Sequence, residues 1–479
     1  MESAALRKNV LSAVGWSAGT RLVGQLINWA MTLLVIRFLR PEDYGLMGLA
    51  MAVTGFLQSM SYVGISDTVV QSRSIDDGLL RSTFGFVIIV NTAFVVLLWC
   101  LAPFVAQFYG DARLIDLLRV ASLVFVFIIV QAIPGALLQR RLDLKRISRI
   151  EFVANIIGGL SGLALAWLGF GVWSLMIAML VSTGWRSLGL FWAEPFWQRP
   201  SLRFRGYAAI LKNGGIRTAE QAIWYLYNSS DVLLIGKLLG PVPLGIYTVA
   251  RQVAAIPAEK LAVVLKPAAF PAFSMVQHDH AEALRHLSKA MRLIALATFP
   301  VFFGISAIAP QIVQIVLGSQ WASAVVPLSL LALGMTLRPV GIILPSFLMG
   351  LGQFKASFSN TVFGAVLFPV AYIVGSRWGI EGVCVAAVLA YPVQFFVLVR
   401  RCAISAGGHI GALLTPLARP LFGALAMFFC VLAAQYFLPF KSPALTAAVL
   451  VALGAAVYGS FCWIFCRSTV QEFIALARR

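Results

Sequence analysis

Apolar runs of about twenty residues, divided by short polar breaks, recur along the whole chain, and each is long enough to cross a ~30 Å hydrocarbon layer as a helix. None alternates at every second position, as a barrel strand would. Of the 479 residues, 60% are hydrophobic and only 11% are charged, with a mean hydropathy of +0.89. A soluble core of this size has no means of solvating that surface, so the expected fold is an all-α polytopic membrane protein. Hydropathy and turn residues place fourteen spans, near 10–37, 44–65, 82–106, 115–138, 150–168, 171–193, 212–236, 243–266, 292–316, 325–349, 359–376, 381–399, 418–437 and 444–466.

An even number of spans puts both termini on one side, and basic residues say which. With the N-terminus inside, Lys and Arg in short loops favour the cytoplasmic side by about three to one, which predicts N-in and C-in. The same distribution accounts for the formal charge of +19. No concentrated basic domain is present, so nucleic acid is excluded as a partner. Arg7 and Lys8 precede an apolar run as in a signal peptide, but the run continues to Phe38 with Arg21 at its middle. It therefore reads as a retained first helix in the cytoplasmic membrane. Six cysteines without a CxxC pair read as small apolar residues, and no metal site is expected.

A shift of 200 positions lays residues 211–253 over residues 11–53 without a gap, and later parts of the two halves match with small insertions. Gly15/Gly215, Asn28/Asn228, Pro41/Pro241 and Gly45/Gly245 coincide, along with several Leu pairs. The expectation is two pseudo-symmetric six-helix lobes, 1–200 and 201–400, with two additional helices and a tail in 401–479. An even number of helices per unit makes the repeats parallel. Between the lobes, Glu194 to Tyr207 alternates aromatics with arginines and reads as an interfacial linker. The stretch from Gln277 to Arg292, with His278, His280 and His286, reads as a solvated amphipathic connector.

Ionisable residues within spans are costly, so each needs a partner, a wet cavity or an interface. In the first span Arg21, Gln25, Asn28 and Thr32 fall within ~60° of one helical face. In the seventh, Arg217 stands one turn from Glu220, and Asp231 shares the Glu220 face about 16 Å further on, with Asn228 nearby. Arg251 lies deep in the eighth. Arg186, Lys260 and Lys266 are nearer span ends and read as snorkelling anchors. Two deep arginines, Arg21 and Arg251, one from each repeat, suit an anionic diphosphate, because guanidinium forks match its oxygens. The candidate substrate-binding set is Arg21, Gln25, Asn28, Arg217, Asn228 and Arg251, with Glu220 and Asp231 as coupling candidates.

Leu39 to Val53 (LRPEDYGLMGLAMAV), Ser230 to Gly240 (SDVLLIGKLLG), Leu244 to Ala250 (LGIYTVA), Phe270 to Gln277 (FPAFSMVQ) and Leu317 to Trp321 (LGSQW) resemble the Wzx-type polysaccharide flippases. The resemblance is to the exopolysaccharide and colanic-acid branch, within the multidrug/oligosaccharidyl-lipid/polysaccharide exporter superfamily. It implies alternating access around a cavity lined by spans one, two, seven and eight. It also implies an undecaprenyl-diphosphate-linked oligosaccharide as cargo, with membrane lipids and a polysaccharide polymerase or co-polymerase as partners. Coupling to a proton or sodium gradient, or to the membrane potential, stays open, and no cofactor is expected. A multidrug cation antiporter of the same superfamily is the alternative, but it would favour an acidic cavity. A polymerase or ligase would need a sizeable outer loop, and a non-transporting scaffold is a further reading. The chain is therefore not expected to be an enzyme, and it lacks a Walker A pattern.

Overall fold

The computed structural model describes residues 27, 29–61, 77–201, 208–437, 442–467, 469, 471 and 472. Among them the chain is helical and contains no strand. It forms two compact units, Met1–Val242 and Pro243–Arg479.

In the first unit α1 (Trp29–Phe38) is followed by α2 (Pro41–Ser61), α3 (Asp77–Tyr109), α4 (Arg113–Ala121), α5 (Leu123–Arg140), α6 (Leu144–Trp167), α7 (Val172–Ala193) and α8 (Ala208–Leu239). Then α9 (Pro241–Met275) leads into the second unit, with α10 (His280–Ala307), α11 (Ala309–Ile312), α12 (Val325–Met335), α13 (Arg338–Gly341) and α14 (Ile343–Gly350). The chain ends with α15 (Phe354–Gly375), α16 (Gly379–Ser405), α17 (Ile410–Phe437) and α18 (Pro443–Phe465). Nine stretches of the described residues are long and apolar enough to cross a bilayer, and one of them, Phe354–Ser405, folds back on itself as the α15–α16 hairpin. Exposed side chains such as Phe104, Val366, Leu389 and Phe429 give the helices an apolar outer surface. This is the architecture of a polytopic helical membrane protein.

Several helix ends follow directly from local chemistry. Asp143 accepts from the Arg146 amide at 3.1 Å and starts α6. Gly240, at φ +86°, closes α8 in a backbone region that suits glycine, and Pro241 then opens α9. The α8 end is also tied to α3, where Lys237 donates to the Phe108 carbonyl and lies 4.4 Å from its ring. At the other end of the α3–α4 turn, hydrogen bonds from Arg113 hold the Asp111 carboxyl below its usual pKa, and Arg113 also reaches Glu42.

Buried polar pairs join the helices of the first unit. Ser61 donates to Asn91 Oδ1 at 2.6 Å, and Asn91 donates to the Val87 carbonyl at 2.9 Å. Both side chains are buried, so Asn91→Leu strands the Ser61 hydroxyl between α2 and α3. We expect a loss of about 1–3 kcal/mol, read as a lower melting temperature in detergent.

The compact units divide one helix later than the repeat boundary expected at 200/201. Residues of α8 pack on α2 and α3, where Tyr225 donates to the Met51 carbonyl at 3.1 Å and Tyr109 to the Leu233 carbonyl at 3.4 Å. A repeat records ancestry, whereas a compact unit records contacts. The last two helices are no appendage to the second unit. Leu413, Ala424, Met427 and Val431 of α17 and Leu450 of α18 enter its core with Phe299 and Phe347. Tyr458 donates to the Leu296 carbonyl at 2.8 Å, and Arg292 meets Glu472 at 2.7 Å.

Three expected segments differ in form. The connector at 277–292 is mostly helix, because Asp279 caps α10 by accepting from the Glu282 amide at 2.8 Å. The span expected at 115–138 is divided at Ser122, whose backbone stays helical and whose hydroxyl bonds back to the Arg119 carbonyl at 2.6 Å. The span expected at 325–349 comprises three helices, α12, α13 and α14. Pro339 and Pro345 lack the amide hydrogens that the Met335 and Gly341 carbonyls would take in a continuous helix.

Candidate functional site

Arg21, Gln25 and Asn28 lie outside the described residues. Arg217 and Glu220 fall in the backbone of α8, in the part whose side chains are likewise outside the description. Of the seventh-span candidates, Asn228 is half-buried and Asp231 is 5% exposed, within a turn that also buries Ser229 and Ser230. Asp231 Oδ1 accepts from the Val232 amide at 2.8 Å. That bond uses one oxygen of a carboxylate on a helix face that water does not reach. Arg251 belongs to the second unit, half-buried in α9 nearly three turns after its start.

The structure joins a polar seam that the sequence did not announce. Along the antiparallel α6–α7 hairpin, Arg186 Nη2 sits 3.3 Å from Glu151 Oε1. Glu151 is ten ångströms or so inside α6, because that helix begins six residues before the span expected at 150–168. Arg186 therefore has a carboxylate partner on the neighbouring helix, with both side chains still partly exposed. One turn further in, Ser182 donates to Asn155 Oδ1 at 3.4 Å.

Beyond these pairs, Gly158, Gly159 and Gly162 leave room where side chains would close it. A Cβ on Gly158 would come 2.8 Å from the Ala178 carbonyl oxygen, and one on Gly159 would meet the Met31 sulfur at 2.3 Å. The space is a cavity of about 230 Å³ between α1, α2, α6 and α7, with Thr32, Tyr44, Asn155 and Ser182 in its wall. Thr32, the last member of the polar face expected on the first span, stands in this wall. The overlooked clue was the register of α6 against α7. Asn155 and Ser182 are uncharged, and Glu151 sat at an expected span edge, so a search for deep charges passed over them.

Chemically, the first unit offers a carboxylate–guanidinium pair and a small, mostly apolar cavity with a few amide and hydroxyl groups in its wall, all between membrane helices. Such groups hold and orient polar ligands and bear protons.

Residues 34–326 match the polysaccharide biosynthesis protein family. The chain is 25% identical to the lipopolysaccharide biosynthesis protein WzxC of Escherichia coli K12 over 404 residues, 82% of each chain. It is 27% identical to the succinoglycan biosynthesis transport protein ExoT of Rhizobium meliloti, covering 76% of this chain and 72% of that one. Among solved structures, the lipid II flippase MurJ in an inward closed conformation aligns over 96% of this chain and 100% of its own, with a TM-score of 0.78 at 15% identity. An inward-facing MATE transporter aligns over 81% of this chain and 98% of its own, with a TM-score of 0.60 at 18% identity. These identities establish a shared fold. The match over more than half of the sequence, in register with the motifs from Leu39 to Trp321, shows that the chain belongs to the polysaccharide biosynthesis protein family and is of the Wzx type.

Proposed function

We propose that this protein moves an undecaprenyl-diphosphate-linked oligosaccharide from the inner to the outer face of the cytoplasmic membrane by alternating access. The observation that carries this reading is the full-length likeness to a lipid II flippase, joined to membership of a family named for polysaccharide biosynthesis. In this reading fourteen spans run N-in and C-in, with repeats at 1–200 and 201–400 and two further helices. A sugar diphosphate crossing hydrocarbon unaided faces a prohibitive desolvation cost. A wet cationic path removes that cost while the prenyl tail stays in lipid, and no covalent bond is made or broken.

In this path Arg21 and Arg251 hold the diphosphate, and Gln25, Asn28, Arg217 and Asn228 supply polar contacts. Glu220 and the buried Asp231 are the places where an ion gradient would couple. A polysaccharide polymerase is the natural recipient of the flipped unit.

The test is complementation of a strain lacking its exopolysaccharide flippase, with the lipid-linked repeat unit followed on each membrane face. Arg21→Ala with Arg251→Ala should express normally, lower polymer by at least ~tenfold, and leave the lipid-linked unit on the cytoplasmic face. Partial rescue by Lys at both positions would show that charge outweighs fork geometry. Polymer at wild-type levels from the double Ala variant would remove these arginines from the path.

A further inference from the structure

At one end of the first unit, the linker that follows α7 does not hang free. Gln198 donates to Asp77 at 2.8 Å, Arg81 donates to the Arg199 carbonyl at 3.0 Å, and the Ser201 amide donates to the Arg81 carbonyl at 2.9 Å. Phe196 packs edge-on to Phe84 with ring centroids 5.3 Å apart. Stapled this way across the start of α3 and the end of α5, the linker borders a half-open cavity of about 520 Å³.

The cavity wall has two characters. Leu80, Leu137 and Phe196 form an apolar side, backed by buried Ile133 and Ala136. Arg140, Arg141 and Glu194 stand on the polar side, two guanidiniums to one carboxylate. Arg141 Nη1 is 2.7 Å from Glu194 Oε2, yet the Arg141 side chain remains 63% exposed. The segment 140–149 carries Arg140, Arg141, Lys145, Arg146 and Arg149 against Asp143 alone, so the local field is positive.

The depth is that of lipid headgroups, since the cavity lies at the ends of the candidate spans Asp77–Tyr109, Arg113–Arg140 and Leu144–Trp167. Trp197, 82% exposed and edge-on to Phe191 at 5.0 Å, stands beside it as interfacial tryptophans do.

We propose that this cavity binds the phosphate of a membrane lipid. The phosphate lies between Arg140 and Arg141, and the first carbons attached to it run over Leu137 and Phe196. Two guanidinium forks suit phosphate oxygens, while the apolar side excludes a free, fully hydrated anion. Glu194 competes with the phosphate for Arg141. The site goes beyond the translocation reading and does not depend on it, because binding here requires no transport. A phospholipid and a polyprenyl diphosphate present the same chemistry.

Native mass spectrometry of the full-length protein in neutral detergent separates these sources, with dioleoyl phosphatidylglycerol, farnesyl diphosphate and dioleoyl phosphatidylcholine as probes. Wild type should hold at least one of the two anionic probes well above phosphatidylcholine. Arg140→Ala with Arg141→Ala should weaken that probe by ~tenfold or more. Arg285→Ala, an exposed cation on α10, should leave it unchanged. Glu194→Gln should tighten binding by ~2–5-fold, since it removes an exposed competing ion pair. Binding of both anionic probes supports a general anionic-lipid site, and binding of farnesyl diphosphate alone supports a dock for prenyl diphosphates. The proposal is overturned if neither anionic probe exceeds phosphatidylcholine, or if the double Ala variant binds like wild type. If that variant fails to fold, Glu194→Gln decides, and weaker binding there overturns the site.

Discussion

Gly45→Ala is expected to leave almost no folded protein in the membrane. A Cβ at this position would lie 1.8 Å from the Pro241 carbonyl oxygen and 2.6 Å from its carbonyl carbon, both backbone atoms. Backbone cannot rotate aside as a side chain does, so α2 or the start of α9 must move bodily. Overpacking that has only this outlet costs about 3 kcal/mol or more. Gly411→Ala and Gly459→Ala serve as controls, because a Cβ at either position meets nothing within 4 Å. Immunoblots of membrane fractions, with melting curves of whatever protein is recovered, should show Gly45→Ala lost and both controls near wild type. Wild-type stability for Gly45→Ala would mean that this helix crossing is looser than described.

A measurable effect is also expected at Glu151 and Arg186. Breaking the pair by Arg186→Ala leaves a carboxylate inside a membrane span, and Glu151→Ala leaves a guanidinium there. Arg186 Nε is already buried without an acceptor among the described residues, so the guanidinium relies on its Nη2 contact. Both side chains are partly exposed, so each single change should lower stability by about 0.5–1 kcal/mol. The double change Glu151→Ala with Arg186→Ala should cost less than the sum, and the swap Glu151→Arg with Arg186→Glu should recover much of the loss. A thermal-unfolding double-mutant cycle measures this directly. Additive losses with no recovery on swapping would show that the two groups act separately.

The helical membrane architecture was legible because hydrocarbon thickness dictates span length, and the chain repeats that length many times. The motifs from Leu39 to Trp321 carried the family for a related reason, since they combine Gly, Pro and charged residues whose coincidence is rare in apolar sequence. What hydropathy could not show was where spans are divided, because a run interrupted by proline is as apolar as an intact one. Nor does it register pairing between helices. Glu151 is assigned to a span edge unless α6 is known to start at Leu144, and Arg186 then appears alone. The packing of α17 and α18 into the second core was invisible for a similar reason, since a lipid-facing helix and a core helix share one composition. Of the expected substrate-binding residues, Asn228 and Arg251 can be placed and are half-buried, as can the buried coupling candidate Asp231, while Arg21, Gln25 and Asn28 lie outside the described residues.

The breaks flanking α13 have a consequence for how this protein meets its bilayer. A continuous helix tilts as one rod when the surrounding hydrocarbon thins or thickens. Beside Arg338 and at Ile342 the backbone stays right-handed helical, but the hydrogen bonds that Pro339 and Pro345 cannot donate are missing, so α12 and α14 need less force to tilt by different amounts. Each leaflet can then change thickness without forcing the opposite half of the span to follow, so lipid composition on one side acts on one half of the helix alone.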